Sequence, residues 1–152
     1  MWGTWATDSR GWDEEGEPFE IPMQGLGAFS CGKTAWLGFN PLFRGFGGEE
    51  GYIHEKFRQA GRKTLCLLWF RRMHRFERPA GVPFPLRVED KLRNYLIGHL
   101  EVNLDIRPVV EHFGNHLSPH LVRNMLEEIR GSEAPESWPQ DLPSPKSTVR
   151  AP

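Results

Sequence analysis

The sequence predicts an α/β fold, and three observations carry that expectation. Residues Phe19 to Cys31 alternate loosely around Ile21, Met23, Leu26, Ala28 and Phe29, which suits a strand or two with tight bends at Gly25 and Gly27. A helical pattern follows from Gly48 to Ala60, and Lys63 to Phe70 forms an apolar run of strand length, consistent with a strand buried on both faces. Strand, helix and strand in that order make a β-α-β fragment.

Taken in order, the chain opens on Met1 to Trp5, an aromatic-rich segment that reads like the interior of a longer protein. Residues 8 to 18 are acidic and glycine-rich, an exposed loop. Lys33 to Phe39 suits a short helix that Asn40-Pro41 ends, because the residue before a proline is pushed out of the α region. In the central helix Ile53, Phe57 and Ala60 recur at spacings of four and three, and Gly61 offers the stop. Arg71 to Arg87 holds Pro79, Gly81, Pro83 and Pro85 and is a loop. Val88, Leu92, Leu96 and Leu100 line one face of an amphipathic helix with Tyr95 beside them. A further helix starts at Pro119 behind Ser118 and runs through Leu121, Met125 and Ile129 to Gly131. The division is thus a folded part over residues 1–131 and a Pro-rich tail over 132–152 that composition marks as disordered.

Composition bounds the function. At 152 residues the chain fits one domain. A net charge of −1 points to neither nucleic acid nor a membrane surface. Cys31 and Cys66 stand far apart in no C-x-x-C pattern, which suits reduced thiols buried as small apolar residues. No apolar run approaches the ~20 residues of a spanning helix, and the first residues lack the regions of a signal peptide, so a cytoplasmic protein without a transmembrane segment is expected.

Four constellations have chemical content. Gly47 and Gly48 let the backbone pass close to a ligand, and Glu49 and Glu50 then enter the first turn of a helix, where the dipole favours negative charge. Such a pair can accept a proton from a hydroxyl and hold its neighbour, although acids in a first turn also serve simply as dipole partners. Gly27 to Thr34 fits the phosphate-loop pattern G-x-x-x-x-G-K-[ST], but Pro22 spoils the strand before it and Asn40-Pro41 cuts the helix behind it. His112, His116 and His120 recur at intervals of four, yet Gly114 and Pro119 argue against one helix through all three and so against zinc. Arg71 to Arg78, with His74 inside it, is either a solvated basic loop, a nucleic-acid contact, or a loop at the carboxyl end of a strand suited to phosphate and a divalent metal.

The run Trp36-Leu37-Gly38-Phe39-Asn40, then Phe43-Arg44-Gly45-Phe46-Gly47-Gly48-Glu49-Glu50, then His74 some two dozen positions on, resembles the carboxyl-terminal half of GT-A glycosyltransferases. The likeness is to the family-2-like group, the polypeptide N-acetylgalactosaminyltransferases and β-1,4-galactosyltransferases, and spans about residues 19 to 76. It implies the carboxyl-terminal part of a GT-A, Rossmann-like fold, with the amino-terminal nucleotide-binding half and its Asp-x-Asp missing from this sequence. It implies transfer of a sugar from a nucleotide-sugar to an acceptor hydroxyl, with Mn²⁺ or Mg²⁺. Glu50 matches the catalytic base, Glu49 the residue that hydrogen-bonds the acceptor, and His74 the metal ligand. Phe46, Gly47, Gly48 and Trp36 match the substrate-binding positions. Glu in place of Asp or Asn at 50 leaves inversion or retention open. The other readings are a non-catalytic carbohydrate- or partner-binding remnant and a phosphate-loop nucleotide-binding protein.

Overall fold

Glycine at a left-handed torsion sets where the central helix begins. The structure, a computed structural model, describes residues 8–71 and 78–131; the expectations for residues 1–7, for His74 and for the Pro-rich tail lie outside the described residues. In chain order the elements are β1 (Phe19–Glu20), α1 (Glu49–Gln59), β2 (Leu65–Cys66), α2 (Val88–Glu101), α3 (Arg107–Gly114) and α4 (Pro119–Gly131). The described residues form a small mixed domain of four helices and a two-stranded sheet.

Helix α1 is bounded by two glycines. Gly48 caps its start with φ 91° and ψ −19°, torsions a side chain resists. At its other end Gly61 has φ 69°, its N–H donates to Arg58 O at 3.0 Å, and Arg62 N–H reaches back to Phe57 O at 2.8 Å. That pair of bonds is a Schellman stop, which satisfies two carbonyls the helix itself leaves open. Between the caps, Tyr52, Ile53 and Phe57 bury one face against Val102, with Leu26, Phe29, Leu37 and Phe43 around them.

Helix α2 is the hub. Leu92, Leu96, Ile97 and Leu100 are buried among Ile106, Val109 and Phe113 from α3 and its approach and Val122 and Ile129 from α4. Phe43 packs against both this cluster and the one on α1, so the two are continuous. The expected helices over 88–100 and 119–131 are present, α2 running one residue further. Helix α3 was not expected; it carries His112, while His120 lies on α4, so no single helix runs through the three histidines.

The strands differ from expectation. Lys63 to Phe70 is not one buried strand: only Leu65–Cys66 pairs, antiparallel with Phe19–Glu20 in the register Phe19 to Cys66 and Glu20 to Leu65. Leu68 is buried, but Leu65, Leu67, Trp69 and Phe70 are exposed, and a turn closes from Phe70 N–H to Leu67 O at 3.0 Å. The reason is the missing partner. In that register Pro18 stands opposite Leu67 and has no N–H to carry the ladder on toward Phe70, while at the other end Ile21 N–H bonds to Thr64 O at 2.9 Å before Pro22. An apolar run becomes a doubly buried strand only when neighbours exist on both sides. Lys33 to Phe39 likewise yields only a 3₁₀ turn at Lys33–Ala35.

One side chain fixes the loop before α1 onto α2. Asn94, buried, accepts from Arg44 N–H at 2.8 Å and donates to Arg44 O at 2.8 Å and to Gly47 O at 2.9 Å. Its amide thereby does for the loop what a neighbouring strand does for a sheet. Next to it Arg93 lies 3.1 Å from Glu128 Oε1, a charge contact without hydrogen-bond alignment that ties α2 to α4. Asn94→Ala strands both partners at Arg44 and one at Gly47. It should lower the unfolding free energy by about 3 kcal/mol, seen as a lower urea midpoint with unchanged slope; an unaltered midpoint would show that the amide holds nothing.

Candidate functional site

The loop Gly45 to Gly48 runs against α2 so closely that its three glycine positions leave no room for a side chain. A Cβ at Gly47 would stand 2.8 Å from Lys91 Cγ, and one at Gly48 3.2 Å from both Asn94 Cβ and Tyr95 N. The glycines are thus needed both for left-handed torsions, φ 108° at Gly47, and for contact with α2. This brings Glu49 and Glu50 into the first turn of α1 beside Tyr95. Burial raises the Tyr95 hydroxyl above its ordinary pKa, and the negative charges of Glu49 and Glu50 add to the effect.

The two carboxylates are not equivalent. Glu50 Oε1 accepts from Leu26 N–H at 2.9 Å, with Gly25 so near that a Cβ there would lie 3.3 Å away. Glu49 Oε2 is buried without a hydrogen-bond partner among the described residues. A buried carboxylate oxygen left open costs free energy unless something outside the chain satisfies it. It is the group in this region that most calls for a ligand.

Glu50 belongs to a longer arrangement. His54, one turn on, is buried and hydrogen-bonds Gln24 O through Nε2 at 3.1 Å; Arg58, another turn on, donates to Pro22 O at 3.0 Å. So Glu50, His54 and Arg58 of α1 meet Leu26, Gln24 and Pro22 in reverse order. Four helical residues rise about 6 Å and two extended residues span about 6.6 Å, so the two chains stay in step. Because a carbonyl can only accept, His54 Nε2 carries the proton, and Nδ1 accepts from the Thr64 hydroxyl at 3.0 Å. Burial lowers the His54 pKa, outweighing the bond to Gln24 and the charge of Glu50. A cavity of about 280 Å³ adjoins this row, lined by His54, Arg58, Arg62, Thr64 and Glu20.

Opposite this row, α1 is joined to α2 by a polar seam. The Tyr52 hydroxyl donates to Glu101 Oε2 at 2.7 Å, Asn40 Nδ2 donates to the same oxygen at 2.7 Å, and Lys56 Nζ lies 2.9 Å from Glu101 Oε1. Lys56 also donates to the Tyr52 oxygen at 2.9 Å. Burial, then the Glu101 carboxylate, pushes the Tyr52 hydroxyl far above its ordinary range. Burial pushes Glu101 up, but the bonds from Asn40, Tyr52 and Lys56 outweigh it and hold its pKa below the usual value.

Comparison with family models, curated proteins and solved structures finds no match to this chain. Phe46, 53% exposed, faces the Phe84 ring at 5.7 Å beside Gly47, Gly48, Glu49 and Glu50, so these five expected residues lie together. Trp36 does not join them: it packs on Phe57, Phe29 and Phe39. Phe57 is eight residues beyond Glu49 on α1, roughly 12 Å along the axis. His74 lies outside the described residues, and among those described no group of three or more His, Cys, Asp or Glu side chains could hold a metal ion. Lys33 and Thr34 of the phosphate-loop pattern are exposed and open a three-residue turn rather than a long helix. Cys31 is exposed and Cys66 half-buried, both free, which corrects the expectation that both are buried. Among the described residues no helix is long and apolar enough to cross a membrane.

His54 and Tyr95 are the residues that sequence reasoning missed. The signal for His54 was present in its spacing of four from both Glu50 and Arg58. Its lowered pKa has a consequence for stability. The folded chain binds the proton less readily than the unfolded one, so stability is complete above the ordinary histidine value of 6.5 and declines as pH falls below it. His99, also lowered by burial, acts in the same direction. Urea unfolding between pH 7.5 and 5.5 should show this decline, and His54→Gln should have a visibly flatter profile; an equally steep profile in the variant would refute the assignment.

Proposed function

We propose that the chain is a glycosyltransferase segment of the GT-A kind, supplying the acceptor side of a reaction that moves a sugar from a nucleotide-sugar to a hydroxyl. The observation that carries this reading is the unequal acid pair behind two left-handed glycines: Glu50 anchored through one oxygen, Glu49 offering a buried oxygen with no partner among the described residues. In this reading Glu49 Oε2 accepts a hydrogen bond from the acceptor, and the carboxylate of Glu50 takes the proton of the attacking hydroxyl. The acceptor oxygen bonds to the anomeric carbon as the bond from that carbon to the departing diphosphate oxygen breaks. Phe46 offers an exposed ring to a sugar face. Mn²⁺ or Mg²⁺ belongs to the proposal through His74; the described residues assemble no site for it, so no step is drawn through the metal.

A second reading, a non-catalytic carbohydrate- or partner-binding module, is favoured by the lack of any Asp-x-Asp in the sequence and by the exposed rings of Trp36, Phe39 and Phe46. The two separate by experiment. Isothermal titration with UDP should show binding that depends on Mn²⁺ and is lost in His74→Ala. UDP release from a panel of UDP-sugars should fall about a hundredfold or more in Glu50→Gln, with UDP affinity retained. Glycan binding that needs Phe46 but is indifferent to Glu50→Gln and to UDP would establish the second reading instead.

A further inference from the structure

Glu50 has no freedom of its own: the amide that holds it belongs to a loop, and something must hold the loop. Leu26 lies in a stretch with Gly25 and Gly27 beside it, a backbone with little intrinsic preference for one conformation. Within that stretch, the described hydrogen bonds to α1 are Leu26 N–H to Glu50 at 2.9 Å and Gln24 O to His54 at 3.1 Å, with Pro22 O to Arg58 at 3.0 Å further back. The outer contact at Arg58 is on an exposed side chain that also pairs with Glu55, whereas His54 is 1% exposed. His54 is also oriented from behind. Thr64, whose carbonyl accepts from Ile21 N–H beside the β1–β2 ribbon, donates its hydroxyl to Nδ1 at 3.0 Å. Phe29 and Phe57 flank the ring at centroid distances of 5.8 and 6.3 Å, which limits its rotation.

We propose that His54 is a positioning residue for Glu50, holding Gln24 so that the Leu26 amide fixes one oxygen of the Glu50 carboxylate. The proposal rests on the acid/base role given to Glu50 for its catalytic meaning, but the clamp itself is a property of the chain. The sequence of contacts runs from the Thr64 hydroxyl through the imidazole to Gln24 O, and two residues later from Leu26 N–H to Glu50. Fixing one oxygen leaves the other with a defined direction, which is what proton transfer from a bound hydroxyl requires. A misdirected carboxylate would leave donor binding intact and slow the chemical step.

The test reads the clamp and the chemistry separately, on the full chain. In ¹H–¹⁵N spectra the Leu26 amide should titrate with the Glu50 carboxyl, and Glu50→Gln should abolish that titration. His54→Phe keeps a ring between Phe29 and Phe57 but removes the bond to Gln24. It should speed Leu26 amide exchange by about tenfold or more and uncouple its shift from the Glu50 titration. Thr64→Val, a shape-conserving change that spares the imidazole, should do the same in smaller measure and covers the case in which His54→Phe does not fold. With turnover established, His54→Phe should lower kcat by roughly a hundredfold at unchanged KM for the donor, and His54→Asn should restore part of it. A Leu26 amide that still tracks Glu50 in folded His54→Phe, or in Thr64→Val where His54→Phe does not fold, overturns the proposal. Loss of that coupling without any effect of Glu50→Gln on turnover leaves the clamp standing and removes the reaction assigned to Glu50.

Discussion

Two periodicities meet along α1. A helix brings every fourth side chain round to one side, an extended chain presents every second backbone group to one side, and both advance by roughly 6 Å in doing so. Glu50, His54 and Arg58 use that coincidence to hold Leu26, Gln24 and Pro22. A segment too rich in glycine and proline to join a sheet thereby has its backbone groups satisfied by side chains. The alternation of acceptor, donor and donor down the helix also fixes register. A slip by one residue would turn these backbone groups to the far side of the strand and leave the buried side chains of α1 without partners.

The start of α1 is held from the opposite side by α2. Asn94 brackets Arg44 and Gly47, and the glycines at 47 and 48 allow contact with Lys91, Asn94 and Tyr95. Hydrogen bonds of this sort each contribute little to net stability, but leaving any one unmade in a buried place costs more. The arrangement therefore selects one geometry more strongly than it deepens the fold. Against that background the open oxygen of Glu49 stands out, because its neighbours are otherwise well matched.

Much of the helical architecture was legible. Leucines at a spacing of four defined α2, Ser118-Pro119 and Gly131 bounded α4, and Gly48 and Gly61 bounded α1, because caps and periodicity are local properties. The strand over 63–70 was not, since β2 depends on whether a partner lies alongside, and Pro18, opposite Leu67 in the register, closes that option from far away in sequence. Helix α3 escaped notice because it is short and its Ile106, Val109, Val110 and Phe113 pattern is interrupted by Pro108. At the candidate site the close grouping of Phe46, Gly47, Gly48, Glu49 and Glu50 follows from adjacency. The position of Trp36 does not, because aromatic clustering with Phe29 and Phe57 drew it toward the far end of α1.

The seam of Tyr52, Lys56, Glu101 and Asn40 has an electrical consequence. One cation, one anion, a phenol kept neutral and an amide sum to no net monopole, although Tyr52 and Lys56 stand on the same helix as the acid pair. Their field falls away as that of a compact multipole, faster with distance than that of a lone lysine. The acids at the head of α1 thus feel little of the charges that weld its middle to α2.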